Sequence, residues 1–282
     1  MRGLSIVIVT YNSIGHIDAC LESLTRRPSH LDQEIVLVDN ASPDGTAAAV
    51  RDRWPAVHVI DAGANVGFAR GANIGIRRST GELVLLLNPD TEVRDGALDV
   101  LVRVLTTRPD AAVAGPRLLD GRGRPELSFG AMIGPLAELR QKALVHGSRR
   151  GVPLVAGYMD WLTSRPREVD WVSGACLLVR RADAEAVGLL DERFFMYAED
   201  VDFCAAVRAR GRKVLFTPEA DVLHVRGGSA ASAPRATEAA YRRSQLAFYD
   251  KHRPRWAPVL RAYLKLRGRL PDMPIDPSGS RQ

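Results

Sequence analysis

Short, uninterrupted apolar runs that each end in polar residues, and that alternate with helical patterns, limit the fold of this chain more than any other feature. The runs are Leu4 to Val9, Glu34 to Val38, Val57 to Ile60, Leu83 to Leu87 and Ala111 to Gly115. Runs that lack a polar residue at every second position suit strands covered on both faces, and such strands belong to parallel sheets flanked by helices. Between the first two runs, Ile14, Ile17, Leu21 and Leu24 fall on one helical face. A turn from Asp39 to Gly45 and a short helix ending near Trp54 follow the second run. The glycine-bearing stretch Gly63 to Gly71 leads into another helix, and a further helix covers about Gly96 to Thr107. The pattern predicts an α/β fold with a Rossmann-like, mainly parallel central sheet flanked by helices.

Residues 117 to 168 are rich in Gly, Pro and Arg and show no readable period. Regularity returns with an apolar strand from Trp171 to Arg180, a helix from Glu199 to Arg210, and two strand-like pieces, Lys213 to Phe216 and Asp221 to Val225. From Ala236 the chain reads as helical and basic, broken near Pro254 and Pro258. The expected organisation is a main body over 1–234, with halves of about 1–115 and 116–234, and a C-terminal helical extension over 235–282. The net charge of +6 is concentrated there: residues 242 to 269 hold nine Lys/Arg against Asp250 alone, while the remainder carries 30 basic and 32 acidic side chains. A near-neutral body argues against nucleic-acid binding. Three unpaired cysteines, no membrane-length apolar run and no signal-peptide h-region predict a cytoplasmic protein with its thiols in the core.

In an open parallel sheet, ligands bind beyond the carboxyl ends of the strands. The residues there are Thr10-Tyr11-Asn12, Asp39-Asn40 and Asn88-Pro89-Asp90. Any one of these makes an ordinary turn, but three in consecutive units favour a ligand site. Asp90 is placed to hold a hard divalent ion, since Mg²⁺ and Mn²⁺ take few protein carboxylates and fill their other positions with phosphate oxygens and water. No G-x-x-x-x-G-K-[ST] loop occurs, and no G-x-G-x-x-G follows the first strand. Glu199, Asp200 and Asp202 open a helix, where acids complement the dipole. Glu199 and Asp202 share a face, which leaves Asp200 free to face a cleft. His224 ends a strand-like run beside Arg226-Gly227-Gly228-Ser229.

These residues resemble an inverting nucleotide-sugar glycosyltransferase of family 2, with the GT-A fold, and more closely its rhamnosyltransferase-like branch. The matching stretches, in order, are Ser5 to Asn12, Val38 to Gly45, Asn65 to Phe68, Leu87 to Asp90, Val172 to Cys176, Leu190 to Asp202, and His224 with Gly227-Gly228-Ser229. Asn88 stands where many members carry the first Asp of a D-x-D motif, so Asp90 must carry more of the metal coordination. The resemblance implies that Thr10, Tyr11, Asn12, Asp39, Asn40, Asn65, Arg70, Asn88 and Asp90 hold the nucleotide sugar. It implies that Asp90 and His224 ligate Mn²⁺ or Mg²⁺ and that Asp200 is the general base. Trp171, Ser173, Gly174 and Glu199 are expected near the acceptor, Trp171 being equally a plain core residue.

By the same resemblance the donor is dTDP-L-rhamnose and the acceptor a lipid-linked or cell-envelope glycan. Phe194, Phe195 and Met196 are offered as an apolar wall for the 6-deoxy methyl group. UDP-hexose or UDP-N-acetylhexosamine donors are the alternative, and a non-catalytic nucleotide-sugar binding module is a second. A sugar-phosphate nucleotidyltransferase is disfavoured, because no Gly-rich basic loop follows the first strand. The basic segment 236–270, interleaved with Leu246, Phe248, Tyr249, Trp256, Val259, Leu260, Tyr263, Leu264 and Leu266, is expected to attach the protein peripherally to the inner face of the cell membrane.

Overall fold

The computed structural model describes residues 3–26, 28–150, 152–225 and 234–271, so the Gly227-Gly228-Ser229 motif lies outside the described residues. The strands are β1 Leu4–Thr10, β2 Gln33–Asp39, β3 His58–Asp61, β4 Leu83–Leu87, β5 Thr91–Val93, β6 Ala111–Leu119, β7 Phe129–Gly130, β8 Arg167–Val169, β9 Trp171–Val172, β10 Cys176–Arg180 and β11 Lys213–His224. Nine of them form one sheet, ordered β3-β2-β1-β4-β10-β6-β11-β5 with β8 also on β11. The first four run parallel, β10 is antiparallel to both β4 and β6, and β11 runs parallel to β6. With this polarity the C-terminal ends of β1, β2, β4, β6 and β11, and the N-terminal end of β10, share one edge.

The apolar runs are unbroken because both faces are covered. Leu4, Ile6 and Ile8 of β1 pack in one cluster with Leu21 and Leu24 of helix α1 (Ile17–Arg26) and Leu101 of helix α4 (Ala97–Thr107). Val7 and Val9 face the opposite cluster with Ala69, Ala72 and Ile76 of helix α3 (Phe68–Arg77). Helix α3 lies so close to the sheet that a Cβ on Gly75 would sit 2.4 Å from Val7 Cγ1. All three cysteines are buried and free, as expected of core thiols.

Three segments depart from the sequence reading. The run Trp171 to Arg180 is not one strand: it turns at Ser173 to Ala175, and β9 pairs with β7 in a separate two-stranded sheet. There the Ser173 N–H goes to Ser128 O at 2.7 Å and the Gly174 N–H to the Asp200 carboxylate. The two pieces from Lys213 form the single strand β11, irregular between Thr217 and Asp221. Residues 117–168 hold the end of β6, β7, helices α5 (Pro135–Arg149) and α6 (Pro153–Leu162), and β8.

The helix Pro234–His252 buries Leu246, Phe248 and Tyr249, two of them in the same cluster as Val7. These three side chains, and Leu264 of the helix Ala257–Leu266, are therefore core and not membrane-facing. Among the described residues no helix is long and apolar enough to cross a membrane.

Candidate active site

At the ends of β1 and β2, Asp39 is 2% exposed and organises two turns. Its Oδ1 accepts hydrogen bonds from Thr10 Oγ1 at 2.8 Å and Ser42 Oγ at 2.6 Å, and its Oδ2 accepts from the Ser42 N–H at 2.8 Å. The Asn12 N–H donates to Ser42 Oγ at 3.0 Å, while Asn40 Nδ2 reaches Gly67 O at 3.2 Å. The first two turns and the start of α3 are thus one network. Within it, the side-chain oxygens of Asn12 and Asn40 are buried and lack a hydrogen-bond donor. Buried acceptors are rarely left so; both suit the N–H of a base or a hydroxyl of a ribose. Asn65 is exposed, with its Oδ1 turned to the Gly67 N–H at 3.2 Å. Arg70 is also exposed, 3.8 Å from Glu192.

At the end of β4, the Asn88 N–H bonds Ala175 O at 2.9 Å and its carbonyl accepts from Thr91 Oγ1 at 2.7 Å. Pairing of β11 with β5 sets His224 opposite Thr91 and brings His224 Nε2 to 3.4 Å from Asp90 Oδ1. The other edge of the ring, Nδ1, lies 3.5 Å from Glu126 Oε2. Glu126 reaches this position because the chain turns back at 120–124 and its N–H bonds Leu118 O at 2.8 Å. Adjacent ligands on an octahedral ion of this class stand about 3 Å apart, so the Asp90–His224 spacing fits a hard divalent cation. Among the described residues no group of three or more His, Cys, Asp or Glu forms a complete metal cage. The remaining ligands would come from diphosphate oxygens and water. A carboxylate on the second ring nitrogen is the usual device for fixing a metal-binding histidine.

The segment before helix α8 (Glu199–Ala209) is strained, with Tyr197 at φ 71° and Ala198 at φ 66° although neither is glycine. The three acids that follow have separate fates. Asp202 is 2% exposed and is bound by Lys251 at 2.9 Å and His252 at 2.6 Å, so it is a structural anchor. Glu199 is 7% exposed, and burial together with the Asp200 charge pushes its carboxyl well above the ordinary range; its Oε2 has no hydrogen-bond partner. Asp200 is only partly buried: Oδ2 accepts the Gly174 N–H at 2.8 Å and Oδ1 the Val201 N–H at 2.8 Å. Burial raises its pKa, and these N–H groups oppose the rise.

Neighbouring elements hold the strained segment in place. Phe195 O accepts the Phe68 N–H at 2.7 Å, and Ser244 Oγ donates to Met196 O at 2.8 Å. Gly67 (φ 84°) is required beneath it, since a Cβ there would lie 2.3 Å from Phe195 O.

One edge therefore collects Thr10, Tyr11, Asn12, Asp39, Asn40, Asn88, Asp90, His224, Ser173, Gly174 and Asp200. The Asp200 and Asp90 regions are linked through Gly174, Ala175 and the backbone of Asn88. Three expectations need correction. Trp171 is 6% exposed, its ring lies against Gly130 and its Nε1–H bonds Ala131 O at 2.9 Å, so it is core and offers no face to an acceptor. Glu199 is buried and does not line an acceptor site. Phe194 is fully buried and so is no wall for a sugar, while Phe195 is exposed and Met196 partly buried. The sequence reading missed Glu126, which lies in the unpatterned stretch, and Ser244, hidden in a helix read only for its charge.

Known proteins resemble the chain in sequence and in fold. The family description "Glycosyl transferase family 2" matches residues 5–156. An N-acetylglucosaminyl-diphospho-decaprenol L-rhamnosyltransferase of Mycobacterium tuberculosis is 33% identical over 95% of this chain and 92% of its own length. A dTDP-rhamnosyl transferase of Shigella flexneri is 26% identical over 78% of this chain and 68% of its own. Among solved structures, a mannosyltransferase of Pyrobaculum calidifontis in complex with GDP-Man and Mn²⁺ superposes with a TM-score of 0.59 at 18% identity, covering 93% of this chain and 69% of that one.

Proposed function

The chain belongs to glycosyl transferase family 2, and from that premise we propose that it moves L-rhamnose from dTDP-L-rhamnose, with inversion, to a hydroxyl of a lipid-linked or cell-envelope glycan. It has the GT-A fold and is a glycosyltransferase. The observation that carries the mechanism is Asp200: a partly open carboxylate, fixed by two backbone N–H groups, on the same edge as the Asp90–His224 pair. In the reaction the acceptor O–H gives its proton to Asp200, and its oxygen forms the new bond to the anomeric carbon. The bond from that carbon to the diphosphate oxygen breaks on the opposite face, and the nucleoside diphosphate leaves with the bonding pair. Asp90 and His224 would hold a divalent ion, which when bound neutralises charge on the diphosphate. Asn12, Asn40 and the Thr10–Asp39 pair orient the nucleoside. Asn65 and Arg70, exposed in the structure, are assigned to the open side of the donor.

The rhamnose donor is supported by the two rhamnosyltransferase relatives, by Asn88 in place of a second metal carboxylate, and by the apolar Phe195 and Met196. Calorimetric titration with dTDP-rhamnose, UDP-glucose, UDP-galactose and UDP-N-acetylglucosamine tests it. Preference for dTDP-rhamnose is expected, with slow use of other donors because one hydroxyl gives discrimination of only about 10²-fold in an apolar pocket. A clear preference for a UDP-hexose would replace the donor and leave the transferase assignment in place. A lipid-borne acceptor, as named for the mycobacterial relative, also calls for peripheral contact with the inner face of the membrane.

A further inference from the structure

Large apolar side chains are exposed unevenly on this molecule. Of the twelve such side chains among the described residues, ten lie in two stretches, 136–161 and 256–270. The first stretch belongs to α5 and α6, the region without a readable pattern; Leu136 is 82% exposed, Leu154 87% and Trp161 53%. The second carries Trp256 at 49%, Tyr263 at 52% and Leu266 at 87% exposure. A folded protein does not normally leave leucines this open on adjacent elements.

The first stretch is tied to the helix Pro234–His252 and the turn after it, which lead directly into the second. The buried Glu138 of α5 accepts hydrogen bonds from Gln245 at 2.6 Å and Tyr249 at 2.8 Å, and Arg253 Nε donates to Ile133 O at 3.2 Å. Helix α6 is fixed to α5 by Arg140, which donates to Tyr158 OH at 2.5 Å, and by Gly147, where a Cβ would stand 2.8 Å from Val155. The exposed charges on these elements are mostly cationic: Arg140, Lys142, Arg150, Arg255, Lys265 and Arg267 among them. Against them stand the exposed acids Asp160 and Asp250, and Asp250 is taken by Arg261 at 2.6 Å. Open leucines, two tryptophans and a tyrosine among cations have the composition of a bilayer-interface surface. The same cations would repel on a second copy of the surface, which disfavours self-association.

We propose that α5, α6 and the helix Ala257–Leu266 form one surface that docks on an anionic lipid bilayer, with α6 entering the headgroup layer. This deepens the membrane contact assigned above, but its test needs neither donor nor acceptor. The full-length protein is floated with vesicles of phosphatidylcholine alone or with one quarter phosphatidylglycerol, over a range of salt. Binding to the anionic vesicles that weakens with salt is expected. The pair Leu154→Glu with Trp161→Glu should reduce it at least tenfold, and Leu136→Glu alone several-fold. All three sites are exposed, so thermal melting should be unchanged; a variant that melts early is set aside and the other decides. Equal binding to neutral and anionic vesicles, salt-insensitive binding, or wild-type binding by the α6 variant would overturn the proposal. So would a sedimentation mass of two chains, lost in Leu154→Glu, without vesicle binding. None of these results bears on the calorimetric test of the donor.

Discussion

Both sites hold two left-handed non-glycine residues, Asn12 and Ala41 in one and Tyr197 and Ala198 in the other, but at the ends of β1 and β2 the polar side chains largely satisfy one another, whereas the segment leading to Asp200 runs into a buried Glu199 carboxyl oxygen with no hydrogen-bond partner. The first region is held by its own hydrogen bonds, apart from the two open Asn oxygens. The second is held from outside, by Phe68, Gly174 and Ser244. Binding and chemistry therefore separate along this line: damage to the turn network should appear as weaker donor binding, and damage to the segment as slower transfer.

The largest effect should come from Asp200→Asn. Loss of a positioned base costs roughly 10²- to 10⁴-fold in rate, and calorimetric affinity for the nucleotide sugar should stay close to that of the wild type. Burial raises the Asp200 pKa, so the carboxylate forms only as pH climbs through that raised value; transfer should rise with pH, and the variant should lose this limb. Wild-type turnover in Asp200→Asn, with activity lost instead in Asp202→Asn, would end the assignment.

A second effect lies at the join of the two regions. Glu126 touches His224 on the edge of the ring away from Asp90. Removing such an outer carboxylate typically costs 10- to 100-fold in metal affinity. Glu126→Ala should weaken Mn²⁺ binding by about that factor, read from the resonance of the free ion, and Glu126→Gln should recover part of it. Unchanged Mn²⁺ affinity in both would make Glu126 a bystander.

Much of the first region was legible in the sequence, because a parallel strand buried on both faces writes itself as an unbroken apolar run and the polar residues at the sheet edge follow directly. Thr10 and Asp39 were placed at that edge in this way, as was Asp90 after β4. The second region was legible only in part. Three acids in one helical turn carry no mark of which is buried, which is paired and which is open; Lys251 and His252, fifty residues away, claim Asp202. Trp171 was ambiguous for a similar reason, since a tryptophan on a short ribbon looks the same whether it faces a sugar or Gly130. Helices α5 and α6 escaped because their apolar residues are not confined to the buried face, so no helical period emerges.

A paired substitution measures the comparison itself. Thr10→Val removes a buried hydrogen bond to Asp39, and Ser244→Ala removes the one to Met196 O. Each bond contributes about 0.5–1.5 kcal/mol, or roughly 2- to 10-fold in the quantity it supports. Thr10→Val should raise the donor KM with little change in kcat. Ser244→Ala should lower kcat with little change in KM. The reverse assignment, or equal changes in both constants for both variants, would erase the distinction between a self-held and an externally held region.

The smallest effect tests whether the unpartnered oxygen of Glu199 is a cost the fold carries. Its carboxyl is pushed well above the ordinary value, first by burial and then by the neighbouring Asp200 charge. A raised folded-state pKa means that the folded chain holds this proton after the unfolded chain has released its own. Its stabilising effect is complete below the unfolded value, about 4.3, and drains away as pH rises toward the folded one. Glu199→Gln keeps the shape and removes the titration. The variant should therefore melt above the wild type at about pH 8 by on the order of a few degrees, with the gap closing as pH falls toward about 4. A gap that stays constant over that range would show that the carboxyl does not titrate differently on folding, and the segment before α8 would then carry backbone strain without an electrostatic cost.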